Sequence, residues 1–183
     1  IYATTPASRC FKYVTRIASV SGNTINLASP LPLSFTSSLS ILAYPPSGNG
    51  TMSLCGIEDM TFYDCADPIR LYLADRCWFK DLEFDSCPEG DIGFLQLNAS
   101  FQTEIRRCYF HDAPGYPNQV DGMCVGVNYG VCNSLFVDNI SNNTSSLFEI
   151  NGASANAFIC NYVGDCSRAA YANPVVMAAI YHH

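Results

Sequence analysis

The sequence predicts an all-β chain that folds as a right-handed parallel β-helix, a solenoid of about five coils preceded by a β-hairpin and an extended section. Three observations predict this fold. A short phrase that begins with Cys recurs along the chain, strands of period two lie between its copies, and a hairpin signal occurs once only. We expect residues 1–50 to form the lead-in and residues 51–183 to form coils that belong to a longer chain.

The lead-in contains the single hairpin signal. Two segments of alternating side chains, residues 13–20 and 24–27, flank the turn Ser-Gly-Asn at residues 21–23. Prolines and glycines then interrupt the chain as far as Gly50, which predicts an irregular connection to the first coil.

The recurring phrase reads CGIED at residues 55–59, CWFKD at 77–81 and CYFHD at 108–112, with looser copies that begin at Cys132 and Cys160. The steps between copies are irregular. Irregular steps are typical of a solenoid whose loops vary in length while its strands stay in register. The repeated Asp is interpreted first as a turn residue that bonds its own backbone, with a pair of catalytic or calcium-binding carboxylates as the alternative.

A second strand recurs as IRLYL at residues 69–73, FLQL at 94–97, CVGV at 124–127 and LFEI at 147–150. Its period of two predicts one inward and one outward face. The predicted inward residues are Leu71, Leu73, Leu95, Leu97, Val125, Val127, Phe148 and Ile150. Asn98, Asn128 and Asn151 follow directly and predict an asparagine ladder, with Asp75 as its first rung. A third strand, MTF at 60–62 and LEF at 82–84, completes the coil.

These segments together resemble the pectate-lyase-like β-helix superfamily. The resemblance lies in the hairpin VTRIASVSGNTINL at residues 14–27, PLPL at 30–33 and GIEDMTF at 56–62, and it covers most of the chain. It implies the fold, and it implies functions that range from lyases, glycosidases and epimerases to tailspikes and noncatalytic surface fibres. The catalytic patterns of the polygalacturonases and of the main pectate lyases are not matched, so no active-site residue is carried over.

Charge and composition exclude some partners. The 183 residues carry a net charge of −7 without a basic cluster, which disfavours nucleic acid. The same charge means that a polyuronate would bind only through calcium, and the sequence predicts no other cofactor. No apolar run is long enough to cross a membrane.

Ten cysteines and several Asn-x-Ser/Thr sequons predict a secreted or cell-surface glycoprotein. The expected glycan acceptors are Asn49, Asn139, Asn142 and Asn143. Asn98 also lies in a sequon, but we assign it to the buried ladder. Chance occurrence of the sequons is the alternative.

The cysteine spacing predicts a disulfide between Cys65 and Cys87, because neighbouring coils lie about 4.8 Å apart, within the Cα range of a disulfide. Five further cysteines are predicted to form one column, either as bridges or as buried thiols: Cys55, Cys77, Cys108, Cys132 and Cys160. No CxxC pair is present, and only three histidines are, so the sequence predicts no metal site.

The outward face of the second strand is the predicted carbohydrate-contacting face. Arg70, Tyr72, Gln96 and Glu149 would offer a bidentate donor, an apolar ring and acceptors to a sugar. The catalytic candidates are Arg70 and Glu149 on this face, and Lys80 and His111 in a second outward stack with Glu58. An ordinary solvated surface is the alternative for both sets.

The sequence therefore predicts an extracellular structural or carbohydrate-contacting module, whose partners are a polysaccharide or other proteins or copies in an extracellular assembly. The alternative is a polysaccharide lyase, glycoside hydrolase or epimerase whose active site lies partly outside this segment. A receptor-binding spike also suits the fold, but the cysteines and sequons disfavour it.

Overall fold

The computed structural model describes residues 14–31, 51–87, 93–113 and 123–165. All the regular elements in these residues are β-strands. They are β1 (Ile17–Ser21), β2 (Thr24–Leu27), β3 (Met52–Ser53), β4 (Gly56–Glu58), β5 (Thr61–Tyr63), β6 (Ile69–Tyr72), β7 (Ala74–Asp75), β8 (Trp78–Lys80), β9 (Glu83–Asp85), β10 (Leu95–Asn98), β11 (Glu104–Arg106), β12 (Tyr109–His111), β13 (Met123–Asn128), β14 (Leu135–Val137), β15 (Ile140–Asn142), β16 (Ser146–Asn151), β17 (Ala157–Ile159) and β18 (Tyr162–Val163).

Three parallel sheets run along the molecule. Sheet I contains β6, β10, β13 and β16; sheet II contains β4, β8, β11, β14 and β17; sheet III contains β5, β9, β12, β15 and β18. The chain visits sheets II, III and I in turn, so each strand pairs with the equivalent strand of the next coil. The predicted parallel β-helix is confirmed, with about four turns in the described residues.

The predicted hairpin is also confirmed. Strands β1 and β2 pair in antiparallel fashion, with Ser21 opposite Thr24 across the turn. Gly22 has a φ of 57°, a left-handed conformation that a residue without Cβ adopts at no steric cost. Residues 32–50, with the predicted connection and Asn49, and residues 166–183 lie outside the described part of the chain.

The corners on either side of sheet III carry residues in the left-handed region. Between sheets II and III these residues are Asp59, Asp81, Arg107, Asp138 and Cys160, with φ between 51° and 55°. After sheet III they are Asp64, Ser86, Asp112 and Asn143. Aspartate and asparagine tolerate this conformation because their short side chains bond locally. The turn position of Asp59, Asp81 and Asp112 is therefore confirmed, although Asp112 belongs to a different corner. The carboxylates of Asp81 and Asp112 bond other side chains rather than their own backbone.

Inward residues of all three sheets form apolar columns. In sheet III, the Phe84 ring stacks on Phe62 and on Phe110 with centroid distances of 5.0 and 4.7 Å. In sheet II, Phe136 stacks on Phe158 at 4.6 Å. Phe84, Phe110 and Phe136 are fully buried. Since each ring fills the space against the next coil, the column fixes the register of the sheets.

The inward column of sheet I differs from the prediction on its first strand, where the inward pair lies two residues earlier in the sequence. Ile69 and Leu71 pair with Leu95 and Leu97, whereas Leu71 and Leu73 had been predicted to be inward. Leu73 is a corner residue with a φ of 53°. The predicted alternation of inward and outward residues is correct, but the strand ends before Leu73 because Leu73 forms the corner.

The asparagine ladder is present in sheet I. Asn98, Asn128 and Asn151 occupy the same register, and Asn151 Nδ2 donates to Asn128 Oδ1 over 3.1 Å. The first rung is Tyr72 and not Asp75, which lies in β7. Asn98 is buried, which agrees with its assignment to the ladder rather than to a glycan.

The predicted cysteine column is wrong. Only Cys55 and Cys77 share a position, at the start of sheet II, where the next coils place Thr103 and Ser134. Cys108 precedes a strand of sheet III, Cys132 lies in a bridge between Phe101 and Ser154, and Cys160 forms a corner. The five cysteines thus occupy four different positions around the coil.

Candidate functional site

The predicted carbohydrate-contacting residues do share sheet I. Arg70, Gln96 and Glu149 occupy one row, with Gly126 between the last two. Tyr72 projects from the neighbouring row and is exposed. Gln96, however, is only 4% exposed. The row therefore does not offer a continuous polar surface to a ligand.

The two charged residues of that row act separately. Arg70 donates to Asp67 over 2.6 Å, and Glu149 accepts from the Asn151 amide over 2.8 Å. Three strand spacings separate Arg70 from Glu149, or about 14 Å. This distance is too long for the two catalytic candidates to act on the same bond.

The second candidate stack, of Glu58, Lys80 and His111, does not exist. Glu58 pairs with Lys80 in sheet II, and the next residue of that row is Arg106. His111 lies in sheet III, opposite Asp85. The error arises because the phrase at 108–112 was aligned with the phrase at 77–81, whereas its structural equivalent is the segment LEFDS at residues 82–86.

Lys80 belongs to an ion-pair group on sheet II. Its Nζ lies 3.2 Å from Glu104 Oε2, while Arg106 Nε lies 2.6 Å from Glu104 Oε1. Burial by itself raises the pKa of the Glu104 carboxyl, but the hydrogen bonds from Arg106 and Lys80 outweigh it and lower the pKa below its ordinary value. The group is a structural ladder of opposite charges across neighbouring strands.

His111 lies at the centre of a cluster of three carboxylates. Its Nε2 is 3.2 Å from Glu83 Oε1, and its Nδ1 is 2.9 Å from Asp112 Oδ2 and 3.8 Å from Asp85 Oδ1. The residues come from β9, β12 and the corner after β12. The imidazole side chain is only 12% exposed.

The carboxylates determine the protonation of this imidazole. Burial lowers the pKa of His111, but hydrogen bonds to Asp112 and Glu83 outweigh it, so the pKa is raised above its ordinary value. The pKa of Asp112 is lowered, because Asn143 donates to it over 2.7 Å and His111 lies beside it. Without a bound cation, the cluster therefore stabilises a protonated imidazole.

Exposed tyrosines surround this cluster. Tyr63, Tyr109 and Tyr162 all project outward from sheet III, and Tyr63 and Tyr162 are 67% and 64% exposed. The Tyr109 ring stacks on the His111 ring at 4.2 Å. We call this outward surface the tyrosine face. Its members are Thr61, Tyr63, Glu83, Asp85, Tyr109, His111, Ile140, Asn142 and Tyr162, with Asp112 at the adjoining corner.

Sequence reasoning missed the tyrosine face, although a signal was present. The triplets EFD at 83–85 and YFH at 109–111 both carry a central Phe between outward residues. Aligning the triplets on that Phe, rather than the phrases on their first Cys, gives the pairing of β9 with β12 that the structure has.

The predicted glycan acceptors have different environments. Asn139 is fully buried, its Oδ1 accepts from the Cys108 amide over 3.0 Å and its Nδ2 donates to the Ile105 carbonyl over 3.1 Å. The prediction for Asn139 is wrong, because a glycan there would prevent this packing. Asn142 and Asn143 are half-buried, at the end of β15 and at its corner rather than at a loop tip.

All eight cysteines of the described residues are free thiols. The predicted Cys65–Cys87 bridge is therefore absent, although both residues lie two positions beyond the paired Tyr63 and Asp85. Burial raises the pKa of the Cys108 thiol to about 11, which keeps it protonated and unreactive.

No protein-family model, characterised protein or solved structure matches the chain. Within the described residues, no helix has the length and apolar composition needed to cross a membrane.

Proposed function

We propose that the chain is an extracellular β-helix module, of the pectate-lyase-like kind, that contacts a polysaccharide through the tyrosine face. The observation that carries this proposal is the presence of three exposed tyrosines on one sheet, with carboxylates and an imidazole between them.

The spacing of the rings suits an extended polymer. Tyr63 lies on β5, Tyr109 on β12 and Tyr162 on β18, so two strand spacings separate each ring from the next. At about 4.8 Å per spacing, the rings are about 10 Å apart along the solenoid axis. Tyr109 and Tyr162 share one row, whereas Tyr63 lies in the row of His111, two residues further along the strands. A polymer laid obliquely across the sheet would therefore meet all three rings.

The side chains between the rings supply the polar half of a sugar site. An aromatic ring packs against the C–H face of a sugar, and carboxylates accept hydrogen bonds from its hydroxyl groups. Glu83 Oε2 already accepts a hydroxyl hydrogen bond, from Thr61 over 2.9 Å. The same carboxylate can accept from a sugar hydroxyl that displaces Thr61.

Charge indicates the class of polysaccharide. The tyrosine face carries three carboxylates and one imidazole, on a chain with a net charge of −7. A neutral polymer is therefore favoured over a polyuronate, which would bind only with calcium as a bridge. Nucleic acid is disfavoured for the same reason.

Secretion is proposed from the sequence. Ten cysteines and the sequons at Asn49, Asn142 and Asn143 are typical of exported glycoproteins. The enzyme alternative receives less support, because the four catalytic candidates Arg70, Glu149, Lys80 and His111 do not converge on one point. Binding, rather than a reaction, is the function we propose.

The test is affinity electrophoresis of the full chain in gels that contain a soluble neutral glucan, mannan or xylan. Alanine at Tyr63, Tyr109 or Tyr162 should each weaken binding about five-fold, the value of one lost ring contact of about 1 kcal/mol. Tyr72→Ala is the matched control, because Tyr72 is an exposed tyrosine on sheet I.

The proposal fails if none of the polymers retards the chain, or if Tyr72→Ala weakens binding as much as the other variants. Sedimentation without polysaccharide tests the other partner, a second copy of the chain. Self-association that is lost in the triple tyrosine variant would make the tyrosine face a protein interface instead.

A further inference from the structure

The His111 cluster brings a nitrogen donor and two oxygen donors to one point. One ligand atom each from Asp85, His111 and Asp112 lies within 4.8 Å of the others. Atoms bound to a single ion at about 2.0–2.2 Å lie at most about 4.4 Å apart. Binding therefore requires the carboxylates to move slightly closer to each other by side-chain rotation.

The imidazole is oriented for such a role. His111 Nδ1 faces Asp85 and Asp112, while Nε2 faces Glu83 at 3.2 Å. Metal-bound histidines commonly donate their second N–H to a carboxylate, which fixes the ring and its tautomer. Glu83 occupies the position of that carboxylate. This arrangement is independent of the two aspartates.

Packing limits the movement of the donors. The Tyr109 ring covers one face of the His111 ring at 4.2 Å. Asp112 Oδ1 accepts from Asn143 Nδ2, and Asp85 Oδ1 accepts from the Ser86 hydroxyl over 2.8 Å. These bonds keep the donors beside one another, so only a short movement is needed and little entropy is lost when an ion binds.

The charge of the cluster is unbalanced. Three carboxylates converge on one imidazole, which contributes at most one positive charge. Among the described residues, no lysine or arginine forms an ion pair with Glu83, Asp85 or Asp112. A divalent cation would reduce the remaining repulsion.

We propose that Asp85, His111 Nδ1 and Asp112 bind a divalent transition-metal ion, with Glu83 as the carboxylate that orients the imidazole. The imidazole selects zinc, cobalt or nickel over calcium and magnesium, which prefer oxygen ligands only. Three protein ligands leave coordination positions for water. The proposal goes beyond polysaccharide contact and does not depend on it.

The test is titration of the full, metal-free chain with Zn²⁺, followed by isothermal calorimetry, and with Co²⁺, followed by absorption. The chain should carry His182→Gln and His183→Gln, so that His111 is the sole imidazole. One tight zinc ion is expected per chain, and Ca²⁺ and Mg²⁺ should not compete. The cobalt complex should lack thiolate charge-transfer bands, which separates this site from the free cysteines.

His111→Gln and Asp112→Asn should each weaken zinc binding about 100-fold or more, and Glu83→Gln about 10- to 100-fold, as for a residue that orients a ligand. Asp81→Asn is the matched control, because Asp81 pairs with Arg107 on another corner. Asp112→Asn keeps the shape of the corner, so it remains informative if His111→Gln does not fold.

The proposal is overturned if zinc does not bind, if the cobalt bands are those of thiolates, or if Asp112→Asn binds zinc as the parent chain does. None of these three results bears on the tyrosines, whose polysaccharide test is carried out without metal.

Discussion

At the scale of single residues, the left-handed corner residues carry a conformational cost. Several corner positions carry side chains that gain nothing obvious from the left-handed conformation, such as Leu73, Ala99 and Tyr129. That conformation costs a residue with a Cβ roughly 1–2 kcal/mol. The fold tolerates the cost at these corners because their amides donate hydrogen bonds to the next coil, such as Leu73 N–H to the Asn98 carbonyl.

Ala155→Gly should stabilise the protein. Ala155 is exposed and has a φ of 56°, so glycine relieves strain without opening a cavity. After allowance for the greater flexibility of glycine in the unfolded chain, we expect a gain of about 0.5–1 kcal/mol in the free energy of unfolding. Urea unfolding measures it. The matched control is Ala157→Gly, exposed but within β17, which should lose about 0.5–1 kcal/mol.

The buried Asn139 amide bonds backbone groups on either side. Asn139→Ala leaves the buried Cys108 N–H and Ile105 C=O without their partners, at about 1–3 kcal/mol each. A loss of about 2–5 kcal/mol in unfolding free energy is expected. Asn26→Ala removes an exposed amide bond to Ser19 and should change stability by less than about 0.5 kcal/mol. Equal effects of the two substitutions would contradict the buried hydrogen bonds of Asn139.

At the scale of elements, each strand is too short to be stable alone, and its partners in the neighbouring coils supply the missing contacts. Sheet II shows how outward residues contribute. Opposite charges meet across the strands where the row of Glu58, Lys80 and Arg106 lies beside the row that contains Glu104. Such cross-strand pairs contribute modestly, but they disfavour other registers.

Glu104 makes this contribution dependent on pH. Its pKa is lowered in the folded chain, so the stabilisation is present above the ordinary carboxyl range and is lost as pH falls through the folded pKa. Glu104→Gln should therefore be less stable than the parent at neutral pH, with the difference shrinking as the pH falls below the ordinary carboxyl range. Urea unfolding at neutral and at acid pH checks this. Lys80→Gln should reduce the effect of Glu104→Gln, whereas a constant difference at both pH values would contradict the ion pairing.

At the scale of the whole molecule, the solenoid couples each coil to its immediate neighbours. Phe84 contacts Phe62 in the coil before and Phe110 in the coil after. Phe136 and Phe158 are separated from them by the change from sheet III to sheet II. A local loss of packing should therefore destabilise the neighbouring coils first, and distant coils less.

Phe84→Ala should cost about 3–5 kcal/mol and speed amide hydrogen exchange in β5 and β12 before it does so in β17. Hydrogen exchange with mass-spectrometric detection resolves these strands. Phe158→Ala is the reciprocal control, because its ring stacks on Phe136, and it should affect β14 and β17 and spare β5. Uniform acceleration by both variants would show a single cooperative unit instead.

The sequence by itself determined the kind of fold. The alternation of apolar residues, the single hairpin and the asparagines that follow the second strand all depend on local chemistry, so they predicted a parallel β-helix, the hairpin and the ladder. The repeated aspartates were correctly interpreted as turn residues for the same reason.

The tertiary structure alone decided which segments lie side by side. Pairing of parallel strands depends on how stacked rings and buried amides fit between coils, and loops of different length separate the repeats. A phrase such as CYFHD therefore resembles CWFKD in letters but pairs with LEFDS in space. The buried position of Asn139 and the gathering of Glu83, Asp85, His111 and Asp112 follow from that pairing, because residues distant in sequence meet only when the coils are stacked.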